Sequence, residues 1–134
     1  MNPWRRPAFI LTLFALLYAL PSSAQLEVLA KTTPEQRADF QTDFMKKKLD
    51  LSAEQAETVS EINLSMATGA EPVLKGDAAR YSKAIEIRKL EAKRERKLRA
   101  ALSEEQFKRF RDSKGELRDA MLEHFRTSEA DDGS

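Results

Sequence analysis

Leu51-Ser52-Ala53-Glu54-Gln55 and Leu102-Ser103-Glu104-Glu105-Gln106 are one five-residue pattern written twice in a chain of 134 residues. A serine at the cap position accepts a hydrogen bond from an orphan amide of the first helical turn. A glutamine three residues on reaches back to the serine's own amide. The leucine in front can staple onto the fourth helical residue, which is Phe107 in the second copy and only Ala56 in the first. One copy marks an ordinary helix start. Two copies, each lying between helical segments, predict a helical hairpin used twice.

Working outward, Thr33-Pro34-Glu35-Gln36 is another capping box, with Pro at the first helical position. It opens a helix carrying Phe40, Phe44 and Met45 that fades at Lys46-Lys47-Lys48, where cations suit the negative end of the helix dipole. The helix after Ser52 lays Val59, Ile62 and Met66 along one face. Gly69 is expected to stop it, leaving a linker over 68–76 that holds Pro72. A third helix runs from an Asp77 cap to about Ala101. The fourth starts at Ser103 and carries Phe107, Phe110, Leu117, Met121 and Phe125 on a narrow stripe. Beyond residue 30 the apolar positions recur at threes and fours, and no stretch alternates as a strand would. The expectation is an all-α domain of four helices over 25–128, open and thin, followed by a frayed acidic tail at 129–134.

Residues 1–24 read as an address. Arg5 and Arg6 precede an apolar run over 8–20, and Pro21-Ser22-Ser23-Ala24 offers small residues where a signal peptidase reads. Thirteen residues, broken at Thr12, are short for a span, which needs roughly 20 residues. The expected cut lies between Ala24 and Gln25, after ordinary Sec export, which for a Gram-negative cell means the periplasm. The chain has 23 basic and 22 acidic residues. Losing Arg5 and Arg6, with no acid alongside, moves the formal net charge from +1 to −1. A near-neutral exported chain is a poor nucleic-acid binder, and no membrane insertion is expected after cleavage.

The single histidine, His124, and the lack of cysteine exclude disulfides, thiolate metal sites and cysteine nucleophiles. The neighbours of His124 three and four residues away are Ala120, Met121, Thr127 and Ser128, which are poor company for a metal. No glycine-rich phosphate loop and no nucleophile–base pair is visible, so neither enzyme activity nor a cofactor is expected.

Paired Leu-Ser-x-x-Gln signatures in a small exported helical chain resemble the LTXXQ family of periplasmic proteins, the Spy/CpxP-like group. The most similar stretch is 48–67, and Ser stands in both copies where the family has Thr, which preserves the cap. The motif residues are Leu51, Ser52 and Gln55, with Leu102, Ser103 and Gln106. The resemblance implies a thin curved dimer, intertwined or antiparallel, with a concave face. It also implies one of three roles: an ATP-independent chaperone, a stress-responsive regulator of a sensor kinase, or a metal-responsive protein.

Residues 88–99 hold seven basic residues against two acidic ones. Such a stretch is either a solvated face supported by pairs such as Glu95 with Arg99, or a surface that attracts acidic or unfolded chains by long-range charge. The candidate client-binding residues are Arg88, Lys89, Lys93, Arg94, Arg96 and Lys97, with Phe40, Phe44, Met45 and Met66 as apolar contacts. A thin sheet of helices buries little area, so some of its phenylalanines and methionines should stay accessible or be covered by a second subunit.

Overall fold

A computed structural model describes residues 22–133, and every regular element among them is helical. Five helices follow in order: α1 Ser23–Ala30, α2 Pro34–Leu49, α3 Ala53–Lys75, α4 Arg80–Ala101 and α5 Glu104–Asp132. The all-α expectation is borne out, and the count rises from four to five. The expected leader lies outside the described residues, apart from its last three positions.

Capping chemistry sets four of the five starts. Ser22 with Gln25, Thr33 with Gln36, Ser52 with Gln55 and Ser103 with Gln106 all form complete capping boxes. The Ser22 box opens α1, the element missing from the sequence reading. Its first residues coincide with the expected cleavage site, and Ser22-Ser23-Ala24-Gln25 carries the same signature as the other starts. α4 alone lacks a side-chain cap: it begins after Ala79, so Asp77 is not the cap expected of it.

α3 continues past Gly69 and Pro72 to Lys75, and the linker expected at 68–76 shrinks to the residues after it. The reason is packing. A Cβ on Gly69 would lie 3.1 Å from Leu90 Cδ2, so the glycine lets α3 and α4 approach instead of ending a helix. Pro72 deletes one intrahelical donor, but it sits in the last turn, and the helix beyond it is anchored by the burial of Leu74. At the other end of the chain, α5 runs helical through Asp132, beyond the point where fraying was expected, and Glu129 meets Lys31 of the α1–α2 turn at 3.2 Å.

α3 is the central element, packed against α1, α2 and α4, while α5 lies along α2 and α1. α4 and α5 are consecutive, yet they touch each other least among the packed pairs. They meet at their junction and then diverge. The main core forms at that junction: Met45, Leu49, Val59, Ile62, Leu98, Leu102, Phe107 and Phe110, with Leu51 packed against it. A smaller cluster of Leu26, Ala70 and Leu74 closes the far end, with Ile87 and Leu90 alongside. Burying a Leu or Phe side chain stabilises by about 1.5–3 kcal/mol, so the junction outweighs the far cluster.

Candidate functional site

The two repeated signatures come together in space. Gln55 Nε2 donates to Gln106 Oε1 at 2.7 Å, and Gln106 Nε2 donates to Gln55 Oε1 at 3.0 Å. Each Oε1 also accepts the amide of its own cap residue, Ser52 at 3.1 Å and Ser103 at 3.0 Å. Each Nε2 finds a second acceptor at the end of the helix preceding the other signature: Ala101 O for Gln55 and Leu49 O for Gln106. Every donor and acceptor of both amides is used. Leu102 is buried beside Phe107, as the staple requires, whereas Leu51 packs into the junction core without an aromatic partner on its own helix. Leu51, Ser52, Gln55, Leu102, Ser103 and Gln106 are therefore the fastening between two hairpins.

The basic stretch of α4 is split by the fold. Arg88, Lys89, Lys93, Arg96 and Lys97 are exposed. Lys89 pairs with Glu86 at 2.9 Å, and among the described residues Arg88, Lys93, Arg96 and Lys97 have no acidic partner within 4.0 Å. Arg94 is a correction. It is 5% exposed and lies inside the protein, donating to Gln41 Oε1 at 2.9 Å, Asn63 Oδ1 at 3.2 Å and Glu91 Oε1 at 2.8 Å. Its Nε is the one buried side-chain nitrogen or oxygen without a partner among the described residues. Leu90 and Leu98 stand one turn to either side of Arg94, a spacing that already places it on the inward stripe. The pair expected between Glu95 and Arg99 is not made: Glu95 reaches Lys114 on α5, and the Arg99 guanidinium lies 4.7 Å from the Phe107 ring centroid.

The apolar candidates divide as well. Met45 is buried at 1% exposure in the junction core and presents no surface, so it leaves the client-contact set. Phe44 is half-buried against the same core. Phe40, also half-buried, stacks 4.9 Å from the exposed ring of His124 and 5.9 Å from Phe125. Met66 faces a cleft that also takes in Arg88 and Arg94. Tyr81 and Ile85 stand exposed on α4, Tyr81 at 65%.

That cleft lies where α4 and α5 diverge, floored by α3 and closed by α1, with a volume of about 320 Å³. Leu26, Leu29, Leu74, Ile87 and Met121 supply an apolar lining, and Gly115 of α5 opens onto it. None of these was singled out as a site residue from the sequence. The signal that could have found them is the Ser22 box, which places Leu26 and Leu29 on one helix face. At the cleft wall Arg37, 3% exposed, donates to Leu29 O at 2.9 Å, Thr32 O at 2.7 Å and Glu71 Oε2 at 2.6 Å. The Arg37 guanidinium, and after it the Lys75 ammonium, hold the Glu71 carboxyl below its ordinary range.

Among the described residues no group of three or more His, Asp or Glu is placed to hold a metal, and no helix is long and apolar enough to cross a membrane. No curated protein and no solved structure matches the chain. A family profile described as a domain of unknown function does match, over residues 24–110, from α1 into the first turns of α5. That stretch is well over half of the chain, and by it the protein belongs to the DUF4890 family.

Proposed function

We propose that this protein is an exported, ATP-independent chaperone-like protein that binds partly unfolded polypeptides in the periplasm. The observation that carries the reading is the outer face of α4, where Arg88, Lys93, Arg96 and Lys97 have no acidic partner within 4.0 Å among the described residues and stand beside exposed Tyr81 and Ile85. Unpaired cations capture acidic and unfolded segments at long range, and a few accessible apolar groups hold them weakly enough for release. The paired Leu-Ser-x-x-Gln signatures and their likeness to the LTXXQ group support this reading. So does a family match that begins at residue 24, beside the expected cleavage point. A second copy is part of the proposal: a symmetric dimer would cover some of the remaining apolar surface and could build the concave face the resemblance implies.

The test is suppression of aggregation without ATP, followed by light scattering as a model client is diluted out of denaturant. Near-equimolar protein should suppress scattering, and the effect should fade with salt as the Debye length shortens toward about 3 Å at 1 M. Reversing Lys93, Arg96 and Lys97 to Glu should lower client affinity about tenfold while helicity by circular dichroism is unchanged. Suppression that is flat or rising with salt overturns the charge mechanism. No suppression at several-fold excess, with one tight partner recovered from a periplasmic extract, replaces the chaperone reading with that of a regulator bound to a sensor kinase.

A further inference from the structure

The cleft between α4 and α5 has a chemistry that polypeptide capture on the outer face of α4 leaves largely unused, Arg88 being the one capturing cation that borders it. Its volume of about 320 Å³ lies at the lower end of the range for small-molecule sites, roughly 300–1,000 Å³. Its lining is mostly aliphatic and draws on all five helices. Its charges do not balance. Inside, Arg37 is matched by Glu71, while Arg94 and Lys114 are matched by Glu91 and Glu95. Arg88 on α4 and Arg118 on α5 also border the cleft, and they are left over. Arg88 has no acidic partner within 4.0 Å among the described residues, and Arg118 meets only the exposed carboxylate of its neighbour Asp119, at 3.4 Å.

Gly115 adds an independent observation. It sits in the interior of a 29-residue helix, where glycine costs roughly 1 kcal/mol relative to alanine. Nothing in the fold requires it: a Cβ built there meets no atom within 4 Å, and φ is not positive. Gly115 is exposed and borders the cleft, so the open space beside it adjoins the cleft mouth. A long apolar lining, Arg88 on α4, Arg118 on α5 held only by its exposed neighbour Asp119, and open space beside Gly115 together describe a particular kind of guest.

We propose that this cleft binds a single-chain amphiphilic anion, an unbranched aliphatic carboxylate. The chain lies against Leu26, Leu29, Leu74 and Ile87, and the carboxylate sits between Arg88 and Arg118. The proposal shares Arg88 with the chaperone reading but survives its failure, because Lys93, Arg96 and Lys97 do not border the cleft and can be reversed without touching it.

The experiment is isothermal titration of purified protein that retains Ser22, the cap of α1, with dodecanoate below its micellar concentration and dodecan-1-ol as the neutral control. One equivalent of dodecanoate should bind saturably and the alcohol at least tenfold more weakly. Two variants probe the two halves of the site. Arg88→Glu combined with Arg118→Glu changes exposed side chains only and should weaken dodecanoate at least tenfold. Gly115→Leu should fill the cleft and abolish binding, with helicity and Tm held or raised. Absence of saturable heat, equal binding of the alcohol, or unchanged binding by Gly115→Leu each overturns the proposal. Binding of an unfolded client but not of dodecanoate, lost in Gly115→Leu, overturns it too and assigns the cleft to polypeptide.

Discussion

Arg94 and Arg88 lie six residues apart in one basic run, and the fold gives them opposite work. Arg94 orders Gln41, Asn63 and Glu91 around itself within the protein, and its guanidinium carbon lies 5.4 Å from the Phe110 ring centroid. Truncating it leaves three polar groups without their donor, so Arg94→Ala should cost about 2–4 kcal/mol in urea unfolding. Arg88→Ala, on the open face, should stay within about 0.5 kcal/mol. Equal small losses would return Arg94 to the surface. Glu71 carries the acid sensitivity of this region. Its folded pKa lies below its unfolded one, so its stabilisation is complete above the ordinary carboxylate value of about 4.3 and is lost as pH falls through the lowered value. Melting wild type beside Glu71→Gln should show a gap at neutral pH that closes as the solution is acidified below that range. A gap independent of pH would mean that the Arg37–Glu71 contact is not what lowers the carboxyl.

At the level of whole helices, local signals gave starts more faithfully than ends. The Thr33, Ser52 and Ser103 boxes were legible because a cap needs only four consecutive residues. The Ser22 box is as complete as those three, but the residues that form it also satisfy a peptidase motif, and one short stretch supported both readings. Gly69 and Pro72 misled for a different reason. Their intrinsic preference for ending helices is real, yet the contact of α3 with Leu90 and the burial of Leu74 outweigh it, and neither contact can be read within a local window. Gly69 therefore has a steric role that substitution exposes. Gly69→Val places two methyl groups where one Cβ already lies 3.1 Å from Leu90, and it should destabilise by about 2 kcal/mol by thermal unfolding. An unchanged Tm would mean that α4 yields freely and that the close approach is incidental.

For the molecule as a whole, the repeated signature was visible in the sequence as two helix starts but not as one joint. Capping uses the backbone-facing half of each glutamine. The other half is committed only when two hairpins meet, and no spacing along the chain encodes that encounter. Gln55→Ala and Gln106→Ala should each cost about 1–2 kcal/mol, and the double variant clearly less than their sum, because either change alone already breaks the pair. Strict additivity in urea unfolding would show that the two amides act as separate caps. The site was legible to a similar degree. The cations of α4 could be found from composition, but the division between those facing water and the one facing inward needed the Leu90–Arg94–Leu98 line to be weighed above the charge count. The cleft needed α1, and so stayed hidden with it.

The reciprocal glutamines also tie together two places that the chain keeps far apart. The amide protons of Ser52 and Ser103 each rest on one glutamine of the same reciprocal pair, so opening the pair loosens both caps. Their exchange with deuterium should be coupled, and Gln106→Ala should speed exchange at Ser52 as well as at Ser103. Two signatures 51 positions apart would then keep time as one residue.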